Sequence, residues 1–197
     1  MRRKHSTGAL VFPPMQRAPI LTGVAGGVGT TTIGVVLGSG DRGRYQAGLS
    51  VDVLACRSTA ASLAAALIAV QSAPGRPVLL VVADAPGKTP KTAAARMRMV
   101  EAHTTAVISL PWVEQLRESD TPAQDLAAAV RAAQPPKWAL PARAAFAELL
   151  TALVPLLRSP DPNTRRAPRV PAPFTPPPAH PRDGFTTPTT THTTAHE

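Results

Sequence analysis

Residues Pro19 to Gly38 read PILTGVAGGVGTTTIGVVLG: an apolar run, a glycine-rich turn, then a run of small and β-branched residues. That order predicts a strand over Ile20 to Val24, a loop of the size that wraps a phosphate, and a helix over Thr30 to Leu37. Gly26, Gly27 and Gly29 let the backbone turn with positive φ and point successive N–H groups inward. The helix that follows adds the positive end of its dipole, so the stretch predicts an anion-binding nest. The competing reading is a strand-to-helix turn that binds nothing.

Outward from that stretch the alternation repeats. Val51 to Cys56 (VDVLAC) is a short continuous apolar run of the kind buried in parallel sheets, and an alanine-rich helix follows from Ala60 to Gln71. Pro77 to Ala83 (PVLLVVA) predicts the next strand, ending in Asp84-Ala85-Pro86-Gly87, with a helix over Lys91 to Ala102 behind it. Thr105 to Leu110 predicts a fourth strand, stopped by Pro111-Trp112. The fold expected is α/β: a doubly wound, mostly parallel sheet with flanking helices, and the glycine loop at the carboxyl edge of its first strand, where ligands sit. Asp41 to Leu49, rich in Gly and Arg, reads as a loop. Two further helices are expected, Asp120 to Ala133 and Ala142 to Leu157. The last carries Phe146, Leu149, Leu150, Leu153, Leu156 and Leu157 at helical spacing and reads as packing on the core.

Composition sets the limits around this domain. Residues 1–17 read as a basic flexible arm, 18–158 as the α/β domain, and 159–197 as a disordered Pro/Thr-rich tail without enough apolar surface to fold. The formal net charge is +9, yet residues 21–157 balance twelve basic against nine acidic side chains. The excess lies at the ends, so contact with DNA is expected only through the basic termini. Cys56 is the single cysteine and lies in an apolar run, which excludes a disulfide framework and predicts a small core residue in a reducing compartment. No apolar run reaches the ~18 residues of a spanning helix, and the segment Ala9 to Phe12 is too short for a signal peptide. A cytoplasmic protein without a transmembrane segment is expected.

The loop Gly26, Gly27, Val28, Gly29, Thr30, Thr31 and Thr32 resembles the Walker A loop of the ParA/MinD family of P-loop ATPases, whose usual wording is K-G-G-V-G-K-T-T. Ala25 and Thr30 replace the two lysines, and the threonine-for-lysine wording is most similar to the degenerate, CpaE-like members. The resemblance covers the first strand–loop–helix unit by motif and the chain to Arg117 by pattern. It implies ATP or ADP with Mg²⁺ on those seven residues, Thr31 at the Mg²⁺ position, and a nucleotide-dependent homodimer that acts in partitioning or positioning on DNA or membrane. Asp84, in VLLVVADAPG, which has the apolar-strand-then-Asp form of Walker B, is the candidate metal partner and the candidate catalytic residue. A competing alignment moves VDVLACRSTAASL and VLLVVADAP to later family strands, with SLPWVEQLRE resembling the I-P-x-x-x-x-x-R-E segment near the adenine side. MinD-type members end in a helix that lies on membranes; here Pro155 interrupts the last helix and its polar face carries few bases, which favours core packing.

The loss of one donor to the transition state costs about 10²–10³ in rate. The function expected is therefore a weak or non-hydrolysing ATP-binding switch. Two alternatives stand beside it: a non-catalytic interaction scaffold that keeps the fold and works through its basic termini, and a slow ATPase that borrows Lys88 or Lys91.

Overall fold

The computed structural model describes residues 17–158; the expected arm (residues 1–17) apart from Arg17, and the expected tail over residues 159–197, lie outside the described residues. Five strands form one sheet: β1 (Leu21–Gly23), β2 (Asp41–Arg44), β3 (Val53–Arg57), β4 (Val78–Val82) and β5 (Ala106–Leu110). Their order is β2-β1-β3-β4-β5. All pairings are parallel, with Leu21 opposite Val53, Val53 opposite Val78 and Val78 opposite Ala106. The expected doubly wound α/β architecture is what the chain adopts. β3 and β4, buried along four of their five residues, take the middle of the sheet because an unbroken apolar strand needs cover on both faces.

Five helices supply that cover: α1 (Thr30–Leu37), α2 (Ala60–Ser72), α3 (Lys91–Glu101), α4 (Pro122–Arg131) and α5 (Leu140–Leu153). α1 packs on α4, and α4 on α5, along one face of the sheet; α2 and α3 pack together on the other. Thr59 caps α2, its side chain accepting from the Ser62 amide at 3.2 Å, and Pro122 opens α4 where its missing N–H costs nothing. Arg131, closing α4, donates to the Val36 carbonyl at 2.7 Å near the end of α1 and so joins the two helices.

Three sequence expectations need correction. Asp41 to Arg44 is a strand, not part of a loop; every residue of it is exposed, and Gly43 at φ +73° disturbs its register with β1. An edge strand made of Asp, Arg, Gly and Arg has no apolar period to betray it, and its charges guard the edge against a further strand. The last helix ends at Leu153, because Pro155 lacks an N–H and its ring excludes a continuing helix. A short 3-10 turn, Leu156–Arg158, follows instead. Arg17, assigned by sequence to the arm, pairs with the buried carboxylate of Asp52 through two nitrogens, and the Ile20 amide donates to the same carboxylate at 2.8 Å.

The core-packing reading of the last helix holds: Phe146, Leu149, Leu150, Leu153 and the following Leu157 are buried in the main cluster. Cys56 is fully buried as expected, and burial pushes its thiol up to about 12. Among the described residues no helix is long and apolar enough to cross a membrane.

Candidate functional site

The chain leaves β1 for β2 on one side and crosses back to β3 on the other, so the crevice between the carboxyl ends of β1 and β3 is the switch point of the sheet. The glycine loop fills that place. Its base is anchored where the Val24 amide donates to the Ala55 carbonyl at 2.9 Å, and the buried Val28 side chain folds back over Gly23. A Cβ on Gly23 would lie 2.6 Å from Val28 Cγ2 and 3.0 Å from the Ala25 carbonyl oxygen, so only glycine lets the loop close on its own strand.

Gly27 and Gly29 both sit in the left-handed region, at φ +71° and +88°, and Gly29 caps α1. Alternating positive φ of this kind turns successive amides toward one side of the chain. Among the described residues, no backbone or side-chain acceptor engages the amides of Gly26, Gly27, Val28 and Gly29. These free donors, with the start of α1 behind them, are what an anion would meet.

Each predicted site residue then finds a definite place. Thr30 Oγ1 donates to Asp41 Oδ2 at 2.6 Å and Thr31 Oγ1 to the same oxygen at 3.0 Å; the Gly43 amide donates to Asp41 Oδ1 at 2.7 Å. Partial burial acts to raise the Asp41 carboxyl, but the bonds from Thr30, Gly43 and Thr31 outweigh it and hold the group below the usual carboxylate value. Asp84 pairs with Arg57: its Oδ1 is 3.2 Å from Arg57 Nη1, and its amide donates to Ser58 Oγ at 3.0 Å. Arg57 itself leans from the end of β3 onto the loop, where Nε and Nη2 donate to the Gly27 carbonyl at 3.2 and 2.8 Å. No hydrogen bond or ion pair among the described residues brings Lys88 or Lys91 to the loop.

Thr32, with Gly29 and Ile33, forms one wall of a mostly apolar pocket of about 220 Å³ whose other walls are Trp112, Val113, Leu116 and Arg117. The segment SLPWVEQLRE thus lies against the glycine loop. Glu114 fixes its shape by accepting from Trp112 Nε1 at 2.6 Å and from Arg117 at 3.2 Å. The Trp112 bond lowers the Glu114 carboxyl most; desolvation opposes it, and Arg117 lowers it further.

Sequence reasoning missed Asp41 and Arg57. Arg57 had a readable signal, a charged residue ending a buried parallel strand, because such ends line the ligand edge. Asp41 had none, lying in a strand that was itself invisible. No protein-family model, curated protein or solved structure matched this chain, and the chemistry of the site rests on its own geometry.

Proposed function

We propose that the chain is a cytoplasmic nucleotide-binding protein of ParA/MinD character, taking the phosphates of ATP or ADP on the loop Gly26 to Thr32 and acting as a weak or non-hydrolysing switch. The observation that carries this reading is the set of unpartnered amides on a loop with positive φ at Gly27 and Gly29, placed at the switch point of a parallel sheet. The pocket of about 220 Å³ beside Gly29 and Thr32 supports it, since an apolar cleft with Trp112 in its wall suits a base whose phosphates lie on the loop.

Mg²⁺ prefers hard oxygen ligands and keeps several waters. Thr31 Oγ1 and Asp41 Oδ2, 3.0 Å apart, fit that preference. Asp84, the partner expected from the strand-end pattern, faces the Arg57 guanidinium instead. We assign the metal to Thr31 with Asp41; bound there it would neutralise phosphate charge. The loop amides hold and orient the phosphates, the pocket holds the base, and Thr30 brings no cation to the β/γ-phosphates.

Calorimetry with ATP and ADP, with and without Mg²⁺, tests the reading. Weak binding is expected, and Gly29→Val should abolish it because a β-branched residue cannot hold φ +88°. No heat with either nucleotide at millimolar concentration would reject nucleotide binding and leave the interaction scaffold.

A further inference from the structure

Arg57 spans the switch-point crevice from the end of β3 to the loop that follows β1. Two of its nitrogens converge on one oxygen, the Gly27 carbonyl, and the third meets Asp84. A Cβ on Gly27 would lie 3.2 Å from Arg57 Nη2, so glycine at that position also leaves the guanidinium its room. In a planar trans peptide the carbonyl of Gly27 and the N–H of Val28 point to opposite sides. Holding the carbonyl against Arg57 therefore turns the Val28 amide away from the guanidinium, among the donors that have no protein acceptor. The ion pair is a poor stabiliser of the fold, with side chains 48% and 38% exposed. Its geometry is spent on the loop.

We propose that Arg57 is the positioning residue of this phosphate loop, fixing the Gly27–Val28 peptide in its anion-receiving orientation and supplying from behind the positive charge that Thr30 does not bring. Asp84 is its counter-ion and not a metal ligand. The ligand class is the polyphosphate of a nucleotide, and the inference rests on the phosphate-binding reading given above.

The test titrates inorganic tripolyphosphate and ADP into the wild type, Arg57→Gln, Arg57→Lys and Asp84→Asn by calorimetry, once in EDTA and once in Mg²⁺, with thermal melts alongside. Arg57→Gln should weaken both probes about tenfold, the worth of a charged hydrogen bond, while melting close to the wild type. Arg57→Lys should recover part of that loss, because it returns the charge without the two-pronged contact. Asp84→Asn should tighten binding about two- to fivefold, equally in EDTA and in Mg²⁺. Unchanged affinity in Arg57→Gln, or a loss in Asp84→Asn confined to Mg²⁺, overturns the inference while wild-type binding keeps the nucleotide reading. A wild type that binds neither probe removes both.

Discussion

Replacing Gly23 by Ala asks whether the loop closes on its strand as described. The added methyl would lie 2.6 Å from Val28 Cγ2, 3.0 Å from the Ala25 carbonyl oxygen and 3.1 Å from Thr30 Cγ2. Val28 is 2% exposed and short, so it cannot swing aside, and the carbonyl belongs to the backbone of the loop. Overpacking of this kind costs about 1–3 kcal/mol, and contacts with backbone and a buried valine put this case in the upper half of that range. For a domain of this size 1 kcal/mol moves the melting temperature roughly 3–4 °C, so Gly23→Ala should melt about 6–12 °C below the wild type. Val28→Ala alone should cost about 1–2 kcal/mol in lost burial. It also removes the nearest clashing atom, so the double variant should be less destabilised than the sum of the singles by about 1 kcal/mol. Relief should be partial, because the Ala25 carbonyl still crowds the methyl. The assay is thermal and urea denaturation of the four proteins. A Gly23→Ala melt within about 1 °C of the wild type, or strict additivity, would refute the packing of Val28 on Gly23.

Thr30→Lys should tighten ATP binding roughly tenfold or more by bringing a cation to the β/γ-phosphates, and calorimetry showing no change would mean that the loop does not hold phosphate in the manner proposed. Asp52→Ala should destabilise the domain by about 3–5 kcal/mol in urea unfolding, since it removes the carboxylate that pairs with the largely buried Arg17 and accepts from the Ile20 amide. The carboxyl of Asp41 titrates lower in the folded chain than in the unfolded one, so its contribution is fully present above the ordinary carboxylate range and is lost as pH falls through the lower folded value. Asp41→Asn should remove that part of the acid dependence, seen as a flatter stability profile below about pH 4. Phosphate release from ATP should be very slow or absent in the wild type, with or without DNA, and robust turnover that Asp84→Ala removes would favour the enzyme reading over the switch.

The elements that could be read from the sequence are those whose stability is written into their own side chains. β3 and β4 are unbroken apolar runs, α5 repeats large apolar residues at helical spacing, and both are buried as that pattern requires. β2 could not be read, because DRGR is held by backbone pairing with β1 and buries nothing of its own. The loop was legible for a different reason: glycine is the residue that tolerates φ +71° and +88°, so its spacing reports a backbone shape directly. The side chains around the loop were not. Arg57 reaches Gly27 across 30 residues and Arg17 reaches Asp52 across 35, and such pairings exist only once the sheet order is set.

On the proposed reading, the charges around this loop separate holding a phosphate from cutting one. The amides of Gly26 to Gly29 are neutral donors without a protein acceptor among the described residues, so a diphosphate taken up there would meet donors already in place. Arg57, the cation hydrogen-bonded to the loop, is bound to the Gly27 carbonyl on the side opposite the Val28 amide and is paired with Asp84. Thr30 and Thr31, which begin the helix, present hydroxyls that both point to the carboxylate of Asp41. With Mg²⁺ held there by Thr31 and Asp41, negative charge developing on a terminal phosphate would meet the metal but no lysine, which disfavours transfer while leaving the ground-state complex bound. Turnover in phosphoryl transfer needs positioned charge at the leaving and attacking oxygens, and on this reading the guanidinium bound to the loop stands behind it instead. A protein so arranged distinguishes bound from free nucleotide more readily than triphosphate from its products, which is the behaviour of a switch set by occupancy.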